Sequence, residues 1–308
     1  ATLISNGTGL SGKTVNFTLN GSNAGSAVTN VSGIATLNSI SLVGINVGTY
    51  PGGAGSGVGA SFAGDSTSLA SSDTDILTIN KRPITVTAIA DTKVYDGTTA
   101  STKVPTITLG SLAGSDTAAW TQSFDTKNIG AGKTLTPAGS VSDGNGGNNY
   151  DVIFVDVTGN ITTRLLTVTA TGIDKVYDGT LAATVGLLDD RIAGDILTLT
   201  YDTAAFLDPN AGNGKTVNVS GISLSGGTDA GNYLLGNTSA STTANITQAS
   251  QTITVIASAP SSVPNGVGFT VAATSSSGLM VVYSSTTPGV CTNIGDTFTM
   301  ISPAGICT

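Results

Sequence analysis

The sequence predicts an all-β protein built from several small β-sandwich modules. The segment KVYDGT occurs twice, at residues 93–98 and 175–180, which places the copies 82 positions apart. All 19 acidic residues are Asp, and the usual helix formers give way to Thr, Ser, Gly, Asn and Val, which favour strands and turns. Apolar residues make up 39% of the chain but aromatic residues only 5%, so each core must be thin. Thin cores fit several small modules better than one large domain.

The repeated segment lies inside two longer repeats, because other landmarks recur at nearly the same spacing. The recurring landmarks are RPITVTA at 82–88 with RLLTVTA at 164–170, Gly132–Lys133 with Gly214–Lys215, NNY at 148–150 with GNY at 231–233, and GNIT at 159–162 with ANIT at 244–247. Each repeat opens with an alternating apolar strand and closes with a strand ending in NIT. We therefore place the first repeat at residues 81–163 and the second at 164–248.

The joints between modules are short. A closing strand reaches the next opening strand through a few mostly polar residues in DILTINKRPITVTA, in GNITTRLLTVTA and in ANITQASQTITVIA. Short joints leave little slack between neighbouring modules. The sequence thus predicts four modules, at 1–80, 81–163, 164–248 and 249–308, arranged as an elongated rod.

Within each repeat KVYDGT has the chemistry of a tight turn. The equivalent residues are Tyr95, Asp96 and Gly97 in the first copy and Tyr177, Asp178 and Gly179 in the second. The glycines can adopt positive φ without steric cost, and the aspartates can bond the local backbone. A catalytic or metal-binding carboxylate is the alternative, but neither copy brings a second acid or a His at useful spacing. We expect both tyrosines to pack in the core or at its rim with their hydroxyls bonded to the backbone.

A second landmark is DAGNYLL, in which Asp229, Gly231 and Tyr233 have the D-x-G-x-Y form of a tyrosine corner. In such a corner a Tyr at the start of a late strand ties the preceding crossover to the sheet, which favours an immunoglobulin-like sandwich. The first repeat keeps Tyr150 in GGNNYDV but loses the Asp and shifts the Gly. INVGTY, which ends at Tyr50, is another candidate corner.

These motifs resemble a known family. KVYDGT, the Gly–Lys pair before a strand, LSGGTDAGNY and TTANIT are similar to the YDG domain, a repeat of large secreted bacterial adhesins, often of filamentous-haemagglutinin type. Residues 1–80, with GLSGKTVNFTLNG and ASFAGDST, resemble a bacterial Ig-like domain, and residues 249–308 resemble the Ig-like modules that flank YDG repeats. The resemblance implies an extracellular location on the bacterial cell surface and a role in adhesion, while it assigns a ligand to no residue here.

Both ends of the chain depart from the Ig-like pattern, which has further strands before the segment similar to GLSGKTVNF and after the segment similar to GICT. We therefore expect strands to be missing from the first and last modules. Either the sequence is a window on a longer polypeptide, which we favour, or neighbouring chains supply those strands, as in donor-strand fibres.

The two cysteines, Cys291 and Cys307, predict a disulfide if the chain is extracellular; the alternative is two reduced, buried thiols. The sequence VCTNIGDTFTMISPAGICT indicates three strands, with Cys291 in the first and Cys307 in the third. The outer two of three adjacent strands lie about 9.5 Å apart, beyond the disulfide reach of about 7 Å. The third strand must then cross to the opposing sheet or pair directly beside the first.

Composition argues against several functions. A net charge of -8 with 11 basic residues does not suit nucleic acid, and there is no apolar run long enough to insert in a membrane. Without His or Glu, familiar hydrolytic sites cannot be built, so we expect neither catalysis nor a cofactor. Asp143, Asn145 and Asp151 in SDGNGGNNYD are weak calcium candidates, against a simple Gly/Asn loop.

Two functions remain in view. One is an adhesin segment that recognises a host or surface glycan or protein. The other is a structural stalk or a subunit of an extracellular fibre, whose partners are neighbouring modules or copies of the same protein. Trp120, the only Trp, lies in AAWTQSF and is better explained as a core residue than as a glycan platform.

Overall fold

The computed structural model describes residues 1–53 and 55–308. Its regular structure is almost entirely strand, and within those residues the one helical segment is a single 3-10 turn, Ala230–Asn232. The predicted all-β fold class is confirmed. No helix in the described ranges has the length and apolar character needed to cross a membrane.

The chain divides into two compact units. The first contains Ala1–Leu166, Arg191–Thr198 and Gly226–Leu234, and the second contains Thr167–Asp190, Leu199–Ser225 and Leu235–Thr308. Two segments of the second repeat therefore belong to the same compact unit as the first repeat.

Residues 1–80 contribute eight strands to the first unit. These are β1 (Ile4–Ser5), β2 (Thr8–Gly9), β3 (Thr14–Leu19), β4 (Ser22–Val28), β5 (Gly48–Tyr50), β6 (Val58–Phe62), β7 (Ser71–Asp75) and β8 (Leu77–Ile79). A four-stranded sheet has the order β4-β3-β6-β7, and two strand pairs, β5 with β8 and β1 with β2, complete the module. Alternation in β3 buries Val15 and Leu19 while its other residues are more exposed, as expected for a sheet with one face against a core.

The first repeat is a sandwich of two sheets. Its strands are β9 (Arg82–Thr87), β10 (Thr92–Val94), β11 (Thr106–Leu109), β12 (Thr117–Phe124), β13 (Gly130–Ser142), β14 (Tyr150–Val155) and β15 (Val157–Thr162). One sheet has the order β10-β15-β13-β12 and the other β11-β9-β14. Ile84, Val86, Val141 and Tyr150 form a buried cluster, and Trp120 packs against it. The ring of Trp120 is thus part of the core margin, as the sequence indicates.

The second repeat provides ten strands. They are β16 (Arg164–Leu166), β17 (Val168–Ile173), β18 (Lys175–Val176), β19 (Thr184–Asp189), β20 (Thr198–Thr200), β21 (Thr203–Phe206), β22 (Gly212–Ser220), β23 (Ser223–Gly226), β24 (Tyr233–Leu235) and β25 (Ser239–Thr247). Its main sheet, β18-β25-β22-β21, has the same order as the sheet β10-β15-β13-β12 of the first repeat. The remaining strands pair as β17 with β19, β20 with β23 and β16 with β24.

The Gly–Lys landmark marks an irregularity shared by the two repeats. The register of β13 against β15 shifts between Gly130 and Lys133, and that of β22 against β25 shifts between Gly212 and Lys215. The glycine inside each bulge has positive φ, 67° at Gly132 and 60° at Gly214, which explains the choice of glycine.

The asparagine of each NIT motif stabilises the bulge. Asn160 accepts a hydrogen bond from the backbone of Gly132 at 3.0 Å, and Asn245 accepts one from Gly214 at 2.8 Å. The two landmarks therefore recur together because they form one contact.

The last module consists of β26 (Ile253–Ala257), β27 (Gly268–Thr270), β28 (Ala272–Ser275), β29 (Cys291–Ile294) and β30 (Thr297–Met300). β26 pairs with β28, and the other three form a sheet of order β27-β30-β29. The third strand predicted around Cys307 is absent from the described residues, which is a correction. The chain end instead bonds beside β29, where Thr286 donates to the backbone oxygen of Thr308 at 2.6 Å and Thr308 donates to the hydroxyl of Thr287 at 2.9 Å.

Candidate functional site

The two KVYDGT segments form the same turn. Asp96 accepts hydrogen bonds from the backbone and hydroxyl of Thr98, each at 2.9 Å. Asp178 accepts the equivalent bonds from Thr180 at 2.9 and 2.8 Å. Gly97 and Gly179 both have φ of 77°, in the left-handed region that favours glycine. The repeated motif therefore specifies a turn geometry, and its carboxylates are used in that turn.

A lysine fills each turn. The Nζ of Lys93 donates to the carboxylate of Asp96, the backbone oxygen of Thr98 and the backbone oxygen of Ala100, all at 2.8 Å. It also lies 5.5 Å from the centre of the Phe124 ring, within cation–π range. An ammonium group can satisfy three acceptors at once, so one side chain closes the turn.

The second lysine repeats these contacts. Lys175 donates to Asp178 and to the backbone oxygen of Thr180 at 2.8 Å and to that of Ala182 at 2.9 Å, and lies 5.5 Å from the Phe206 ring. Sequence reasoning missed both lysines as functional residues of the turn. The signal was available, because each copy has Lys three positions before the Asp.

The charges of the turn are tuned by these contacts. The hydrogen bond from Lys175, followed by those from Thr180, lowers the pKa of Asp178 to about 2. Burial alone would raise the pKa of Asp96, but hydrogen bonds from Lys93 and Thr98 outweigh it and the pKa is lowered. Both groups are therefore ionised partners of a lysine at neutral pH, which is unsuited to general acid or base catalysis.

The tyrosines of the two turns differ. Tyr95 is fully buried, and its hydroxyl donates to the Oδ2 atom of Asp195 at 2.9 Å. The expected bond to backbone is therefore wrong for Tyr95, because a buried carboxylate is the nearer acceptor. Tyr177 is 43% exposed. Identical local sequences thus have different surroundings.

Tyr95 and four neighbouring side chains form what we call the tyrosine cluster: Tyr95, Lys127, Asp195, Asp229 and Tyr233. The hydroxyl of Tyr233 donates to the same Oδ2 atom of Asp195 at 2.6 Å, and the two tyrosine rings meet edge to face with centroids 5.5 Å apart. The Nζ of Lys127 lies 3.1 Å from Asp195 and 3.2 Å from Asp229. All five residues belong to the first compact unit.

The tyrosine cluster holds a buried carboxylate in its charged form. Burial would raise the pKa of Asp195, but hydrogen bonds from Tyr233, Lys127 and Tyr95 lower it overall. Burial, followed by the contact with Asp195, raises the pKa of Tyr233 to about 12. The pKa of Lys127 is raised by its neighbours Tyr95, Asp195 and Asp229. The cluster is a satisfied ionic network, which fixes two chain segments together.

The tyrosine corner needs correction in its bonding. Tyr233 accepts a hydrogen bond from the backbone of Ile192 at 2.9 Å, in the loop before β20, and does not tie back to the crossover that precedes it. Asp229 accepts from the backbone of Ile196 at 3.1 Å. Gly231 lies in the 3-10 turn without positive φ, so glycine is not required there.

The first repeat contains the same tyrosine–aspartate arrangement. Tyr150 donates to the Oδ2 atom of Asp116 at 2.5 Å and accepts from the backbone of Ala113 at 2.7 Å. Asp116 follows Ala113 by three positions, as Asp195 follows Ile192. A tyrosine corner bonds to backbone only a few residues earlier in the chain. Tyr50 makes this local bond, because its hydroxyl donates to the backbone oxygen of Asn46 at 2.8 Å.

Two asparagines beside these tyrosines hold a neighbouring module. Asn232 accepts from the backbone of Ile129 at 3.0 Å and donates to the side chain of Asn128 at 3.1 Å. We call this two-bond contact an asparagine clasp. Because both partners come from the preceding module in sequence, the clasp connects modules. Sequence reasoning missed it, since a lone Asn–Tyr pair carries no strong signal.

A second asparagine clasp has the same geometry. Asn149 accepts from the backbone of Val47 at 2.8 Å and donates to the side chain of Asn46 at 3.1 Å. In both clasps the preceding module contributes Asn followed by a β-branched residue and Gly.

The calcium candidates lie in a hydrogen-bonded loop. The carboxylate of Asp143 accepts from the backbone of Asn145 at 2.8 Å, Gly147 at 2.7 Å and Asn149 at 3.0 Å. Asp151 is exposed on β14. Among residues 1–53 and 55–308 no three His, Cys, Asp or Glu side chains are placed to hold a metal ion. A carboxylate surrounded by N–H donors favours the Gly/Asn loop over a cation site.

The disulfide predicted between Cys291 and Cys307 is present, with Cα atoms 5.5 Å apart. Cys291 is fully buried in β29, where it opposes Met300. The bridge fastens the C-terminal residues against the module.

Comparison with known proteins adds one informative match. A family model described as the YDG domain matches residues 80–159 and 162–244, just over half of the chain and both KVYDGT turns. Among solved structures, the chain is similar to the crystal structure of Drosophila N-cadherin EC1-4, with 9% identity, 89% of this chain and 78% of that chain covered, and a TM-score of 0.22. No curated protein matches the chain.

Proposed function

Because the chain belongs to the YDG domain family, we propose that it is a non-enzymatic segment of a large extracellular bacterial adhesin, in which repeat modules form a surface stalk. The observation that carries this proposal is that the charged side chains of both KVYDGT turns bond to each other within the turn. In both turns the lysine and the aspartate satisfy each other and the local backbone. Such groups build a scaffold and leave no reactive pair for catalysis.

The module contacts support a structural role. The asparagine clasps and the tyrosine cluster connect consecutive modules through buried or half-buried polar groups. A joint with several directional hydrogen bonds resists bending more than a flexible linker does. Fixed joints suit a stalk that presents a binding domain at a distance from the cell.

The extracellular location is part of the proposal and is supported by the disulfide, since such bonds persist mainly in oxidising surroundings. Flanking Ig-like modules at 1–80 and 249–308 belong to the proposal too. Antibodies against the purified chain should label intact cells of the source bacterium. Labelling only after lysis would contradict the location.

The adhesin role is tested by replacement. Deleting this segment from the parent polypeptide should reduce cell adhesion, and an unrelated tandem of β-sandwich modules of equal number should restore it if the segment provides length alone. The purified chain should then bind no member of a glycan array. Failure of the replacement together with specific glycan or protein binding would overturn the stalk and assign the ligand contact to this segment.

A second candidate is a fibre subunit completed by strands from neighbouring copies. It is favoured by a cavity of about 880 Å³ that runs between the N-terminal residues 1–4 and the edge strand β7. Val15, Phe17 and Phe62 line it, so an added strand could bury apolar side chains there. Analytical ultracentrifugation of the purified chain separates the candidates, because a fibre subunit would form concentration-dependent oligomers and a stalk segment would not.

A further inference from the structure

The second repeat carries the Asn and the Gly of the asparagine clasp, with Ala in place of the β-branched residue between them. The preceding module contributes Asn46–Val47–Gly48 in one clasp and Asn128–Ile129–Gly130 in the other. Asn210–Ala211–Gly212 is the matching stretch of the second repeat, 82 positions after Asn128. The bulge that follows this stretch matches as well, because the register shift at Gly212–Lys215 corresponds to that at Gly130–Lys133.

In the second repeat the structure describes no contact of the equivalent groups with another module. Asn210 is exposed, and in the part of the chain that the structure describes its backbone N–H and C=O bond only to Asp208 and Lys215 of the same turn. Ala211 is also exposed. The corresponding Asn128 and Ile129 are both engaged by Asn232.

The turn on the same side of the repeat shows the same contrast. Tyr95 is fully buried, whereas Tyr177 is 43% exposed. A Cβ added to Gly97 would lie 2.9 Å from the Cγ2 atom of Ile192, but one added to Gly179 would meet only the hydroxyl of Tyr177, at 4.0 Å. The surface that receives residues 192–195 in the first repeat is therefore open in the second.

We propose that Tyr177, Gly179, Asn210 and Ala211 form a docking surface for a further YDG domain. The incoming domain would offer the Asn–Tyr pair at the start of its late strand, as Asn149–Tyr150 and Asn232–Tyr233 do in this chain. Residues 249–308 do not carry that pair, because their single tyrosine, Tyr283, follows Val282. The occupant is thus another YDG domain, and this assignment does not depend on a role in adhesion.

One difference between the repeats bears on the strength of docking. Pro209 stands where the first repeat has Lys127, so the second repeat lacks the cation that pairs with Asp195. The clasp between Asn46 and Asn149 also forms without a lysine, since Ile45 precedes Asn46. The two hydrogen bonds of the asparagine clasp therefore form without a lysine beside them.

The test duplicates residues 164–248 in tandem within the full chain. The junction Gln248–Arg164 keeps the length of the native Thr163–Arg164 joint. The inserted copy carries Tyr177→Phe, so the only Tyr177 whose nitration can be measured is that of the original second repeat. Nitration by tetranitromethane is then followed at each tyrosine by peptide mass spectrometry, with buried Tyr95 as the slow reference in the same molecule.

In the unaltered chain Tyr177 should be nitrated quickly and Tyr95 slowly. In the tandem variant the rate at Tyr177 should fall to that of Tyr95. A matched variant with Asn232→Ala and Tyr233→Phe in the inserted copy should restore fast nitration. Unchanged nitration of Tyr177 beside a folded insert would overturn the proposal.

A second variant guards against an insert that does not fold. Residues 81–163 are replaced by a second copy of 164–248, and the native copy carries Tyr177→Phe. The one remaining Tyr177 then stands in the place of Tyr95, opposite the native Asn232–Tyr233 pair. Protection of that Tyr177 supports the docking surface. Fast nitration, or failure of this variant to fold, counts against it, because either result means that the second repeat cannot engage an Asn–Tyr end.

Discussion

Tyr95 donates a 2.9 Å hydrogen bond to Asp195, a residue 100 positions later in the chain. Both side chains are buried, and the acceptor oxygen is shared with Tyr233. The turn of one repeat is thereby fixed to a loop of the next. The exposed Tyr177 supplies a control within the same protein.

Tyr95→Phe should destabilise the first repeat by about 1–2 kcal/mol, because the buried Asp195 carboxylate loses one of its donors. Tyr177→Phe should change stability by less than about 0.5 kcal/mol, since that side chain is exposed. Urea unfolding followed by the fluorescence of Trp120 measures the effect in the first repeat. Hydrogen exchange of the second repeat measures it for Tyr177. Equal losses for the two variants would contradict the cluster.

Gly97→Ala and Gly179→Ala should also differ in how much thermal stability they lose. Both positions have φ of 77°, so each substitution should cost about 1–2 kcal/mol from backbone strain. Gly97→Ala adds a contact 2.9 Å from Ile192, which must move, whereas Gly179→Ala adds none. The larger loss of thermal stability should therefore occur at Gly97. A larger loss at Gly179 would show that the turns do not differ as described.

Lys93→Met and Lys175→Met should have matching effects, because the two lysines make the same contacts. Methionine keeps an unbranched apolar side chain but removes the ammonium donor from two backbone oxygens and from a carboxylate that then keeps only its threonine donors. We expect each variant to lose about 1–3 kcal/mol in its own repeat. Hydrogen exchange read repeat by repeat checks this, and an effect on only one repeat would argue against equivalent turns.

Stability should change little between about pH 5 and 9, because the sequence has no His and its two cysteines form a disulfide. The pKa of Tyr233 is raised to about 12, so its contribution is complete below about pH 10 and is lost as the pH rises from 10 to 12. The pKa of Asp178 is lowered to about 2, so its contribution is present above about pH 4 and is lost towards pH 2. The urea concentration at the unfolding midpoint, measured as a function of pH, tests both the acid and the alkaline loss of stability. A Tyr233→Phe variant should lose part of the alkaline limb, and Tyr177→Phe should retain it.

Reduction of the disulfide should destabilise the last module by about 3 kcal/mol, the loop-closure value for a bridge spanning 16 residues. The fluorescence transition of Trp120 should not shift, because that residue reports on the first repeat. A Cys291→Ser, Cys307→Ser variant should match the reduced protein. A shifted Trp120 transition would show that the last module supports the first repeat.

The repeats could be predicted because their landmarks are local. KVYDGT needs an Asp–Gly turn and a lysine three positions before the Asp, and the hydrogen bonds of Lys93 to Asp96, Thr98 and Ala100 are all local. The Gly–Lys bulge was visible as a motif, although its bond to the asparagine of NIT was not. Each repeat was expected to open with an alternating apolar strand, and β9 shows that alternation, with Ile84 and Val86 buried.

The tyrosine cluster could not be predicted, because its members are scattered from residue 95 to residue 233 and meet through tertiary packing. The Tyr233 hydroxyl was assigned to a local corner since that motif looks the same in sequence whichever acceptor is nearer. Cys307 was placed in a third strand after the Pro-Ala-Gly turn, but the chain end is held by Thr286 and Thr287 instead.

The parallel pairing near the ends of each repeat has a mechanical consequence. In the first repeat β10 lies parallel to the closing strand β15, with Lys93 opposite Ile161, and in the second β18 lies parallel to β25, with Lys175 opposite Ile246. A tensile load on the chain pulls the early strand towards its N-terminus and the closing strand towards its C-terminus, which is opposite directions along one axis. The interstrand hydrogen bonds are then loaded in shear and must yield together, whereas a hairpin pulled from its open end unzips one bond at a time. Each repeat is therefore built to bear force along the chain.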